Sequence, residues 1–194
     1  KSILLAFVCG FFFALDLWFW HTAIHLIGPG LATLLGNLEV LFLAAIGIIF
    51  MGEKVGIRFL VAVVMAVVGL ILIVGLQWDQ LGPAYKKGIF LGLMTAIVYT
   101  GFLLTLRKLQ TDQSGVSVFY VLTLVSWATT LYLGLKAYLS GDSLNIPDAQ
   151  SWSALLALGL LSQVVGWIMI TNALPRVRAS LIGLILLLQP SVSF

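Results

Sequence analysis

The chain has 194 residues, of which 61% are hydrophobic and only 9% charged, with ten Lys and Arg against seven Asp and Glu and a formal net charge of +3. A soluble domain carries about a quarter charged residues, so a water-soluble globule is excluded and an integral membrane protein indicated. The basic residues are scattered through short connections instead of forming the stripe that nucleic acid requires, which removes that class of partner.

A helix needs roughly 20 apolar residues to cross the ~30 Å hydrocarbon core of a bilayer. Six runs meet this in chain order: Ile3 to Ile27, Pro29 to Met51, Ile57 to Leu76, Gly88 to Leu106, Val116 to Leu139 and Trp152 to Leu174. A seventh starts at Ala179 and is still apolar at Phe194. Because the chain begins on Lys1 directly before a span and stops inside another, the expectation is an internal fragment of a longer protein. The first run is too long and too rich in Trp for a cleaved signal peptide.

The first span carries Cys9, Asp16, His21 and His25. Cys9 is the single cysteine, so no intrachain disulfide exists, and its neighbours suggest a packed apolar thiol. Asp16 lies at about mid-depth, where an unpaired carboxylate costs at least ~2.5 kcal/mol on insertion scales. It must face a cavity or a partner, as a proton site, as a counter-charge for a cationic substrate group, or as a protonated structural residue bonded to a neighbouring helix. The i, i+4 spacing of His21 and His25 suits two metal ligands, but no third ligand is near and no metal is expected.

The second span follows a tight turn around Gly28-Pro29-Gly30, so it runs antiparallel to the first. Glu39 is nearly as far from that turn as Asp16, which puts both carboxylates at one level; facing inward they would share protons. Glu39 could equally bond a hydroxyl or amide across a helix interface. Thr33, Gly36 and Asn37 recur at helical spacing as a small polar face. On one unbroken helix, Asn37 and Glu39 are about 200° apart and cannot both point into one cavity.

Among the later spans, Tyr99, Trp127 and Trp167, with Trp18 and Trp20 of the first, are aromatics that either stack on a flat ligand or simply pack. Gln163, Asn172 and Gln189 are the polar residues of the last two spans, and Pro190 after Gln189 disturbs its helix and can free a carbonyl. Every connection is short, so function must lie within the membrane. Counted along alternate connections, Lys1, Lys54, Arg58, Arg107, Lys108, Arg176 and Arg178 fall on one side and Lys86, Lys87 and Lys136 on the other. The first side is therefore expected to be cytoplasmic, with Trp78, Tyr85, Tyr138 and Trp152 at the opposite interface.

The segment TAIHLIGPGLATLLGNLEVLF from Thr22 lies over NALPRVRASLIGLILLLQPSV from Asn172 at an offset of 150 residues, each a span, a tight turn and a span that starts with small residues. The intervening spans are odd in number, so the copies cross in opposite directions, as in inverted-repeat transporters. At this offset Asp16 lies over Gly166 and Glu39 over Gln189, so the acids belong to one copy only.

The stretch FFFALDLWFWHTAIHLIGPGLATLLGNLEVLFLAAIGIIFMGEKV, with its closing Gly52-Glu53 pair, resembles the first-half core of the EamA domain of the drug/metabolite transporter superfamily, and ITNALPRVRASLIGLILLLQPSVSF resembles the matching part of the second domain. The resemblance implies an all-α, polytopic membrane helix bundle of two inverted five-helix repeats around a central cavity. The full bundle would have ten helices, with about seven, the third to the ninth, present here. Residues 1–81 would belong to the first repeat and 82–194 to the second. The family often has a proline where this chain has Val40, while Pro190 keeps it in the second copy.

The expected function is a secondary transporter, an exporter of small metabolites such as amino acids, amines or drug-like solutes, working by alternating access around a midplane cavity. Its substrate- or proton-binding residues would be Asp16, Glu39, Asn37, Trp20, Tyr99, Trp167, Gln163 and Gln189. A membrane-embedded enzyme acting on lipids would need clustered acids, histidines or arginines near the headgroups, and a channel a ring of repeated ligands; neither is legible. The chain is thus read as a non-enzyme without cofactors, in a prokaryotic inner membrane. Its partners would be a small-molecule substrate and the bilayer, with a homodimer as a possible assembly.

Overall fold

A computed structural model of the chain describes residues 2–52, 56–74, 81–112, 117–142, 145–146 and 148–178. The described residues are helical and contain no strand: α1 (Ser2–Ile27), α2 (Pro29–Gly36), α3 (Glu39–Met51), α4 (Ile57–Val74), α5 (Pro83–Asp112), α6 (Val118–Ser140) and α7 (Ala149–Ala157), the last continuing through a π-helical segment (Leu158–Gly166) into α8 (Trp167–Ala173) and a 3-10 turn (Leu174–Arg176). Five stretches are long and apolar enough to cross a membrane: Ile3–Ile27, Pro29–Phe50, Pro83–Thr111, Val118–Ser140 and Ala149–Arg176. With hydrocarbon-compatible helices of this number, the chain is a multi-pass membrane protein.

Local chemistry sets the helix boundaries. Gly28 takes φ 81°, a conformation that a β-carbon disfavours, and Pro29 follows at the first helical position, where its missing N–H costs nothing. Ser117 caps α6, its Oγ accepting from the Phe119 amide at 3.3 Å. At the other end Gly141 turns left-handed, and the Asp142 amide donates back to the Ala137 carbonyl at 3.0 Å, closing the exposed carbonyls of the last turn. Asp148 caps α7 by accepting from the Ser151 amide at 2.7 Å.

The chain divides into two compact units, Lys1–Ala14 with Phe102–Val177 and Leu15–Gly101 with Arg178–Phe194, so that α1 and α5 each contribute to both. In the first unit, α1 crosses α6 at Gly10. A β-carbon there would lie 2.5 Å from that of Ala128 and 2.9 Å from the Val125 carbonyl oxygen. The Thr129 hydroxyl seals the crossing, donating to Val125 O at 2.9 Å and approaching Gly10 O at 3.2 Å. Such small-residue contacts replace the hydrophobic effect as the source of association between helices in lipid. In the second unit, Leu35, Leu38, Ile89 and Ala96 form a buried cluster. It closes because Gly92 lets α5 approach the Leu35 side chain, where an added β-carbon would come within 2.8 Å.

Two differences from the sequence expectation stand out. The expected second span is not one helix but two, α2 and α3, separated by a turn at Asn37 and Leu38. The expected sixth span begins a few residues earlier, at Ala149, and widens into the nine-residue π-helical stretch at its middle. Neither event has a proline, so composition gave no sign of it. Glu53, Lys54, Trp78 and the seventh span with Gln189 and Pro190 lie outside the described residues.

Gly10→Ala is expected to lower stability by about 1–3 kcal/mol through overpacking, whereas Gly134→Ala, with nothing within 4 Å of its added carbon, should be neutral or raise stability by up to ~1 kcal/mol; SDS-induced unfolding followed by circular dichroism reads both. The Ser151 amide and hydroxyl hold the Asp148 carboxyl below its usual range. A depressed carboxylate contributes stability that is full above its ordinary range and is lost as pH falls through the lowered value. Protection of the Ser151 amide against hydrogen exchange should therefore drop on acidification through that window, and Asp148→Ala should abolish the dependence.

Candidate functional site

Asp16 on α1 and Glu39 at the first position of α3 are both buried, at 8% and 4% exposure. They lie within electrostatic reach of each other, and Tyr99 of α5, half-buried, lies within reach of both. The two carboxylates that the turn-to-residue spacing placed at one level are thus brought together inside one unit.

The break between α2 and α3 explains how Glu39 gets there. Through Thr33 the bonding is α-helical, the Asn37 amide donating to Thr33 O at 3.0 Å. The next amides shorten their reach by one residue: Leu38 donates to Leu35 O at 3.1 Å, Val40 to Asn37 O at 3.4 Å and Leu41 to Leu38 O at 2.9 Å. In a continuous helix, Leu38 and Val40 would have served the Leu34 and Gly36 carbonyls, and here they turn away from them. The Glu39 carboxylate folds against its own backbone amide at the start of α3, where the helix dipole favours negative charge. Asn37 and Leu38 keep right-handed helical angles through the turn, and Asn37 and Glu39 on either side of Leu38 are both buried.

α5 supplies the rest of this polar group. The Thr100 hydroxyl donates to Ala96 O at 2.8 Å and lies 3.5 Å from Glu39 O, so it ties α5 to the backbone at the break. Gly36 packs 3.4 Å from the Thr95 methyl, as measured from its would-be β-carbon. The Asn37 side-chain amide nitrogen is buried without a hydrogen-bond partner. A buried donor left in that state costs about 1–3 kcal/mol and is a natural place for a bound group to be recognised.

A different chemistry occupies the other unit. There a cavity of about 400 Å³ opens between α1, α5, α6 and the π-helical turn into α8. Phe13 and Phe102 stack at 4.6 Å and 20°, and the Trp167 ring meets them edge-on at 5.4 Å and 5.1 Å. The Trp167 indole N–H donates to Gln163 Oε1 at 3.1 Å, fixing which way that amide faces. The two last-named residues, singled out separately in the sequence, thus form one hydrogen-bonded pair at the cavity wall.

Trp20 is half-buried with its ring against His21 at 5.0 Å and is not among the residues that line the cavity. Gln189 lies outside the described residues. The His21 Nδ1–H donates to the Leu17 carbonyl at 2.7 Å, and among the described residues no three His, Cys, Asp or Glu converge. Sequence reasoning missed Thr100, hidden among apolar neighbours, and the cavity hydroxyls Thr123, Ser126 and Thr130. Their i, i+3, i+7 spacing on one face of α6 was the available signal.

No protein-family model, no curated protein and no solved structure matches this chain.

Thr100→Val should lower stability by about 1 kcal/mol by removing a paired hydroxyl. Asn37→Leu, which removes an unpaired buried donor, should cost less than Thr100→Val; the two SDS-unfolding midpoints give the comparison.

Proposed function

We propose that the chain belongs to a secondary transporter of small organic solutes, an exporter in a prokaryotic inner membrane, rather than to an enzyme. The observation that carries this reading is the meeting of Asp16 and Glu39, buried and within reach of each other at a break between two half-helices. Intramembrane acids mark ion and substrate pathways, and interrupted helices with redirected backbone groups are where transporters bind their coupling ions and cargo. In this reading Asp16 and Glu39 share the coupling proton or hold a cationic group of the substrate. Tyr99 and Asn37 stand by them to donate hydrogen bonds, the first from a phenol, the second from its unpartnered amide. The resemblance to the EamA domain, with its two inverted five-helix repeats, supports the same class.

The alternatives fare worse on the same chemistry. A lipid-modifying enzyme would gather metal or phosphate ligands near the headgroups, and a channel would need a repeated ring of ligands. One pair of acids on one half suits a carrier that couples two binding events.

In proteoliposomes with an imposed pH gradient, a screen of amines and amino acids should reveal saturable uptake and counterflow. Asp16→Asn and Glu39→Gln should each reduce gradient-driven transport by roughly 5- to 150-fold, the range of ordinary coupling free energies, and flatten its pH dependence. Unchanged rates and pH profiles in both variants would overturn the assignment.

A further inference from the structure

The aromatic cavity of the first unit, with Gln163 and Trp167 in its wall, is separate in chemistry from the Asp16–Glu39 pair on which the transport proposal rests. We infer that it is a binding site for a planar, uncharged aromatic molecule carrying one hydrogen-bonding substituent.

Size and shape come first. Ligand pockets run from roughly 300 to 1,000 Å³, and this one, at about 400 Å³, suits a fused two-ring system with a small substituent. Its base is the stacked Phe13–Phe102 pair and its wall the Trp167 face set almost perpendicular to both, at 76° and 82°. A ring inserted against these surfaces gains offset-stacked and edge-to-face contacts that a flexible chain cannot make.

Charge comes second. Among the described residues, none that lines the cavity is ionisable: besides aromatic and aliphatic side chains they present only hydroxyls and one amide. A cation or anion entering it would lose hydration with no counter-charge to replace it.

The polar groups then define the substituent. Gln163 Oε1 is taken by the Trp167 N–H, so the amide's NH2 is the end that remains to donate. The Thr123 hydroxyl spends its proton on Phe119 O at 2.7 Å, leaving its oxygen to accept. Ser126 and Thr130 continue that stripe along the same face of α6. A row of hydroxyls on a membrane helix gains nothing from acyl chains, which is why a lipid tail is the poorer occupant. A carboxamide or phenol, which both donates and accepts, matches the pair. Gln163 sits in the π-helical stretch, a deformation that recurs at functional sites because it re-aims side chains.

The test is equilibrium binding to the protein in lipid nanodiscs, with 2-naphthamide as probe and 2-naphthoate, 2-naphthylmethylammonium and dodecanamide as competitors. Because no gradient or translocation is involved, the result is independent of the transport assay. The expected result is saturable, single-site binding of 2-naphthamide, weakened about tenfold or more in Gln163→Leu and abolished in Ser126→Trp, which fills the cavity from α6. Monodisperse elution and unchanged circular dichroism establish that each variant is folded. The charged naphthyl competitors should displace the probe at least about tenfold less well than unlabelled 2-naphthamide, and dodecanamide should not displace it. Should Ser126→Trp aggregate, Gln163→Leu and the competitor series decide. Non-saturable partitioning equal in the wild-type protein and the variants, equal competition by a charged analogue, or displacement by dodecanamide, which marks a lipid groove, would each overturn the site.

Discussion

In hydrocarbon a polar group has no water to fall back on, and this requirement shapes nearly every interaction of the chain. The threonines show the ordinary solution. Thr22, Thr95, Thr100, Thr111, Thr123 and Thr129 each donate their hydroxyl to the carbonyl four residues earlier, at 2.7 to 3.1 Å, so the side chain is satisfied by its own helix. A proton placed there leaves the hydroxyl oxygen able to accept. Thr100 and Thr129 also stand within 3.5 Å of a carbonyl on another helix, Glu39 O and Gly10 O, and thereby help to hold helix pairs together.

Where the helix cannot satisfy a side chain, the backbone yields. Glu39 has no basic partner among the described residues, and the turn at Asn37 and Leu38 places it at the start of α3. The deformation leaves consequences: two carbonyls lose the donors that a regular helix would supply, and the Asn37 amide nitrogen stays buried without a partner. Such a site is stabilised by anything that brings the missing partners.

Close helix approach carries the rest. Gly10 lets α1 lie close against α6 and Gly92 lets α5 lie close against Leu35, one close approach in each of the two compact units. The units then differ in content. One holds the acids, Tyr99 and Asn37; the other holds a ring-lined cavity whose described residues offer hydroxyls and an amide and no ionisable group.

The sequence by itself determined the solvent and five of the expected spans, because these follow from additive hydropathy and from local signals such as Gly28-Pro29 and the Asp148 cap. It also placed Asp16 and Glu39 at one level, since two spans sharing a tight turn keep their register by geometry alone. Only the tertiary structure decided that the second span breaks before Glu39 and that Gln163 and Trp167 form a pair. A helix period read from sequence assumes an unbroken helix and says nothing about which neighbour a side chain meets. The pairing of Gln163 with Trp167 and the cavity lined by rings from α1, α5 and α8 depend on contacts between distant segments, which exist only once the helices have packed.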